Sequence, residues 1–168
     1  MNSHTVADSD TDRSARVAAL ANSIAYDREN AKRYISGAPH IKHDSLRQLY
    51  GTLLVRVLDK AQQHTDEVRV LDLGAGEGTV TLPFLELGAS VTAVDLSEAQ
   101  LDSLKTRCAD YSDRLTVVCD DVAAVLDRLP AHFDVIVVNS FLHHIPDYLG
   151  LIDKAITLMT PHGQFFSF

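Results

Sequence analysis

Three clusters of residues in this sequence have types and spacings that can do chemistry. The first is "VLDLGAGEGTV", Val70 to Val80, where an apolar run stops at Asp72 and glycines follow at 74, 76 and 78, with Ala75 between the first two. Glycines so placed let a turn take positive φ angles and bring bare N–H groups against a ligand at the opening of the next helix. The Asp72 carboxylate, just before the turn, can accept hydrogen bonds from an ammonium group. A glycine turn that merely joins a strand to a helix has the same composition, so the neighbouring segments have to decide.

The second cluster is "VTAVDLS", which ends in Asp95, nineteen residues after Gly76. At that distance an acid on the adjacent strand can accept both hydroxyls of a ribose; the plainer alternative is an acid favoured by the dipole at a helix N-terminus. A dinucleotide fingerprint would place its third glycine at position 79, but Thr79 stands there and Gly78 comes one residue early. The spacing therefore counts against a nicotinamide cofactor. The third cluster is "NSFLHHIPD", where His143 and His144 follow an apolar run. Imidazole titrates near neutrality, so either ring can take a proton from a reacting group, or else pack on the next helix. His143, His144 and Asp147 are ordinary metal-ligand types, but adjacent histidines on an extended or helical backbone are expected to diverge, and no metal site is expected. Cys108 and Cys119 lack metal-ligand spacing and read as small buried or half-buried side chains, not as a disulfide framework or a zinc site.

These clusters need elements to hold them. "VRVLDLG", "SVTAVDL", "RLTVVCD", "FDVIVVNS" and "GQFFSF" read as buried parallel strands with helical stretches between them. The alternation predicts an α/β fold: a doubly wound, Rossmann-like, mostly parallel sheet with helices on both faces, ending after the fifth strand. Its ligand crevice lies outside the carboxyl ends of the strands, where all three clusters fall. Upstream, Leu46, Leu49, Tyr50, Leu53, Leu54, Val57, Leu58 and Ala61 recur at helical steps and predict one apolar helix face. The expected organisation is a disordered acidic tail over residues 1–14, a helical lid or cap over 15–64 and a cofactor-binding α/β domain over 65–168. Within the cap, "AYDRENAKRYISGAPHIKH" carries Tyr26 and Tyr34 and is interrupted at Gly37 and Pro39, which suits a lid with a hinge.

In combination the motifs resemble the class I S-adenosylmethionine-dependent methyltransferases, over roughly residues 68–168. "VLDLGAGEG" is similar to the family's first motif, "VTAVDLS" to its acidic ribose motif, "VVCDDVAAV" to its adenine motif and "FDVIVVNSFLHHIPD" to its fourth-strand motif. The resemblance implies S-adenosylmethionine as cofactor. It implies that Asp72 and the loop Gly74, Ala75, Gly76 and Gly78 hold the methionine part, Asp95 the ribose, and Asp121 the adenine amino group beside the Val122 backbone, with Leu96 also counted among the cofactor-binding residues. Asp120 is the rival for that adenine contact. Asn139 would face the methionine moiety, with Tyr26 and Tyr34 on the lid, and His143 or His144 would serve as base. Such chemistry needs few catalytic side chains, because the donor is already activated and alignment does much of the work.

Composition narrows the partners. The 168 residues hold 46% hydrophobic content, enough for one cored domain. Fifteen basic against 23 acidic residues leave a net charge of -8, which disfavours nucleic acid. The amino-group DNA methylase signature is absent at the fourth strand, where the chain reads "NSFL". A small-molecule acceptor is expected, with no membrane span and a cytoplasmic location. The apolar "FFSF" would leave an open sheet edge, so the sequence is expected to be a fragment of a longer protein, or its edge to be covered by another chain as in a homodimer. A nicotinamide-dependent oxidoreductase, or a cofactor-binding domain without activity of its own, are the alternatives.

Overall fold

The computed structural model describes residues 43–167. The acidic tail, Tyr26, Tyr34 and the hinge at Gly37 and Pro39 lie outside the described residues. Helix α1 (Asp44–Gln62) leads into five strands: β1 (Arg69–Leu73), β2 (Ser90–Asp95), β3 (Leu115–Cys119), β4 (Phe133–Val138) and β5 (Met159–Ser167). Between them run α2 (Thr81–Glu86), α3 (Glu98–Arg107), α4 (Val122–Val125) and α5 (Tyr148–Thr157). All strand pairs are parallel, in the order β3-β2-β1-β4-β5.

That order carries the functional consequence. The chain steps outward from β1 through β2 to β3, then returns to the other side of β1 for β4, so the direction of winding reverses between β1 and β4. A parallel sheet opens a crevice at such a switch, outside the carboxyl ends of the strands. The glycine turn leaves β1 there, and Asn139 leaves β4 beside it.

Side chains alternate across the sheet, as strand geometry requires. Val70, Val91, Ala93, Val135 and Val137 face a core shared with α1, α2 and α3, whereas Leu71, Leu73, Val94, Ile136 and Val138 face one shared with α4 and α5. Every residue of β4 is buried, because β4 lies inside the sheet and is covered on both faces. Helix α1 belongs to the first core through Tyr50, Leu54, Leu58 and Ala61, and the Tyr50 ring meets Phe166 of β5 edge to face at 6.2 Å. The apolar stripe of α1 is narrower than its periodicity suggests: Leu49 stands 49% exposed. The fifth strand is longer than "GQFFSF", beginning at Met159, and its pairing with β4 shifts register between Phe133 and Val135.

Candidate functional site

The glycine turn answers to three different constraints. Gly74, Gly76 and Gly78 all take positive φ, at 76°, 54° and 82°, a region closed to most side chains. A Cβ on Gly74 would fall 2.4 Å from Cγ of Phe141, so this glycine exists to admit the Phe141 ring. A Cβ on Gly78 would lie 3.1 Å from Leu104 and 3.6 Å from Sγ of Cys108, so this glycine lets the turn sit against α3. A Cβ on Gly76 would meet nothing nearer than Oε1 of Gln100 at 3.7 Å. Of the three turn glycines, Gly76 is the one with room for a side chain.

The expectation of free loop amides is not met. The amides of Gly74 and Ala75 both donate to the Val94 carbonyl, at 2.9 and 3.0 Å, and the Gly78 amide donates to Ala75. The Gly76 amide donates to Oδ2 of Asp95 at 2.8 Å. The turn is thus laced to the end of β2, and Ala75 is buried in the core. A buried N–H must find an acceptor, and the end of the adjacent strand supplies it. At these four positions the loop offers a ligand shape and not free N–H donors.

Asp95 and Asp72 are the carboxyl groups beside the turn. Asp95 also accepts the Ser97 amide on Oδ1 at 2.8 Å. Burial raises its pKa, and the backbone N–H groups around it oppose that rise. Asp72 is 1% exposed and accepts the Thr81 hydroxyl on Oδ2 at 2.6 Å, while Oδ1 has no hydrogen-bond partner. Burial pushes its pKa up to about 7, with the Asp95 charge adding to the rise and the Thr81 bonds opposing it. It also helps to hold the Tyr50 hydroxyl protonated, second to that ring's own burial.

Three acceptor atoms around the turn are buried without partners: Oδ1 of Asp72, Oε1 of Gln100 and Oδ1 of Asn139. Orphaned buried acceptors are rare and costly, and three near one crevice ask for a ligand rich in donors. An ammonium group, ribose hydroxyls and an adenine amino group are such donors, so the chemistry of the site fits S-adenosylmethionine. Gln100 is absent from the sequence-derived set. Its position was legible as the one polar residue on the inner face of α3, beside Leu101 and Leu104.

At the end of β3 the two aspartates separate. Asp120 is bound by the Arg128 guanidinium, the principal cause of its lowered pKa, and accepts the Asp121 amide. Asp121 is the N-cap of α4, with Oδ1 accepting the Ala124 amide at 3.0 Å. Val122 is buried in the core. Leu96 is half-buried between Asp95 and the cap residue Ser97.

Beyond β4, Ser140 takes a positive φ of 50° and aims Phe141 back onto Gly74. A turn of 3₁₀ helix, Leu142–His144, follows. The two histidine rings do not diverge as expected: their centroids stand 3.9 Å apart, because this turn is tighter than an α-helix or a strand. His144 is half-buried, with its ring 6.4 Å from Phe141, whereas His143 is exposed. Burial, and then the neighbouring His143, lower the pKa of His144. Asp147 is occupied in capping α5, accepting the Gly150 amide at 3.0 Å. Among the described residues no three metal-ligand types converge.

Fold and switch-point site together define a doubly wound α/β domain of the Rossmann-like class. Residues 71–165 match the family profile described as a methyltransferase domain. The chain belongs to that family, among the class I S-adenosylmethionine-dependent methyltransferases. A ubiquinone biosynthesis O-methyltransferase of Vibrio cholerae is 31% identical over 121 residues, covering 72% of this chain and 49% of the relative. One of Idiomarina loihiensis is 31% identical over 108 residues, covering 62% and 44%. The chain spans about half the length of these curated relatives. Among solved structures, the glycopeptide N-methyltransferase MtfA complexed with S-adenosylmethionine is 30% identical, with a TM-score of 0.55 over 68% of this chain and 48% of that one. A methyltransferase of Methanococcus maripaludis reaches a TM-score of 0.65 over 84% and 63% at 18% identity, a likeness of fold.

Proposed function

We propose that this chain binds S-adenosylmethionine at the β1/β4 switch point and supports methyl transfer to a small-molecule acceptor. The observation that carries the reading is the set of unpartnered acceptors around the glycine turn, next to a carboxylate at the end of β2. Bound there, the cofactor would supply an electrophilic methyl group on a sulfonium.

The chain's own residues then have separate tasks. Asp95, already fixed by the Gly76 and Ser97 amides, keeps lone pairs for the ribose hydroxyls. Asp121 is the better candidate for the adenine amino group, since Asp120 is engaged by Arg128. The buried acceptors of Asp72 and Asn139 suit the ammonium end, directly or through water. His144 is the better candidate for the base: it is the half-buried member of the pair, and its lowered pKa keeps it neutral and able to take a proton from an acceptor hydroxyl. The names of the two curated relatives make an oxygen acceptor the first to try. The glycopeptide enzyme keeps nitrogen in view.

Calorimetry with S-adenosylmethionine and S-adenosylhomocysteine, followed by transfer assays on phenols, amines and carbon acids, tests the reading. Binding of a nicotinamide dinucleotide in place of both would overturn it. Cofactor binding without transfer to any acceptor would leave a binding domain alone.

A further inference from the structure

We propose that Phe141 is an aromatic wall that makes this site favour the positively charged methyl donor over its uncharged product. The inference rests on the cofactor reading above and gives a role to a residue of the fourth-strand motif that neither the motif nor that reading assigns.

Three observations carry it. The Phe141 ring lies directly on Gly74, close enough that a Cβ on that glycine would fall 2.4 Å from Cγ. The placement is held by a strained residue: Ser140, not a glycine, has φ of 50°, and backbone strain of this kind persists where the surroundings demand a particular geometry. The ring is also close to two parts of the site at once, touching the turn while the His144 ring centroid stands 6.4 Å away. It packs on the Leu71, Leu73 and Val94 core yet stays half-buried, so part of it remains accessible.

A ring against the cradle and near the candidate base would, on the cofactor reading, be close to the reacting end of the donor. S-adenosylmethionine carries a sulfonium cation there, and S-adenosylhomocysteine a neutral thioether on the same skeleton. The face of a benzene ring attracts cations through its quadrupole and has no such preference for a thioether. An aliphatic side chain of similar volume would fill the space without that preference. The consequence is a site that holds donor and lets product leave.

The test is calorimetric and needs no acceptor. In the full chain, Phe141→Leu should weaken S-adenosylmethionine binding roughly three- to tenfold, the range of a cation–π contact at a partly exposed ring, and leave S-adenosylhomocysteine unchanged. Phe141→Tyr, which keeps the ring, should keep the parental ratio of the two affinities. An equal loss for both ligands, or an unchanged ratio in Phe141→Leu, assigns the ring to packing and overturns the inference while the cofactor reading stands. If the parental chain binds neither ligand, the cofactor reading falls and takes the inference with it.

Discussion

The amide of Gly76 donates to Oδ2 of Asp95 at 2.8 Å, joining the least crowded of the three turn glycines to the acid at the end of β2. The same carboxylate holds the Ser97 amide at the start of α3. Asp95 therefore shapes the crevice before any ligand arrives, and its loss should be felt in the free protein. Asp95→Ala removes two charge-assisted bonds, each worth about 1.5–3 kcal/mol. The expected outcome is a lower denaturant midpoint together with weaker cofactor binding. A variant with unchanged stability and reduced affinity would make the carboxylate a ligand group alone.

The glycine turn gives a graded series. Gly76→Ala meets only Gln100 at 3.7 Å, so its cost is the positive φ, about 1–2 kcal/mol. Gly74→Ala carries that cost and also drives a Cβ into the Phe141 ring. Gly78→Ala falls between them, because Leu104 at 3.1 Å has to give by a few tenths of an ångström. Thermal unfolding should rank the three as Gly76→Ala the mildest and Gly74→Ala the most severe. Equal losses would mean that backbone strain, and not what each Cβ meets, sets the cost.

Burial of Asp72 makes stability depend on pH with a definite sign. Its pKa is near 7 in the folded chain and about 4 in an unfolded one. The folded state binds the proton more tightly, so the contribution is fully present below about pH 4 and is lost as pH rises through about 7. Asp72→Asn keeps an acceptor for Thr81 and cannot ionise. Relative to the parent it should gain stability over that window, by at most about 4 kcal/mol. Parallel urea titrations at the two ends of the window read the difference, and parallel curves would show that Asp72 does not titrate there.

Much of the architecture was legible because it rests on local signals. Five apolar runs bounded by glycine, aspartate and serine became five parallel strands, and the carboxyl-end position of each motif followed from the winding. The turn was legible as a turn, but the reasons for its three glycines were not. Spacing cannot tell that Gly74 makes room for Phe141 or that Gly78 makes room for Leu104, since those contacts join residues distant in sequence. The same limit hid the use of the loop amides by Val94 and Asp95. Gln100 was missed although its signal was present, a polar residue among the apolar positions of α3. The histidine pair departs from expectation because the chain makes a 3₁₀ turn where a regular helix or strand would have splayed the rings.

That turn supports a prediction about the base. His144 is half-buried and its pKa is lowered first by burial and then by the charge of His143, whose ring is 3.9 Å away. A base with a lowered pKa stays neutral further into the acid range, so the acid limb of a kcat/KM profile should fall below the ordinary histidine value. His143→Gln removes the second cause and leaves the first. The limb should then move toward higher pH, with the plateau rate little changed. His144→Gln should instead lower the plateau, on the order of 10²–10⁴-fold for a general base, and erase the limb. If His143→Gln takes the plateau down and His144→Gln only shifts the limb, the exposed ring is the base and the two roles are exchanged.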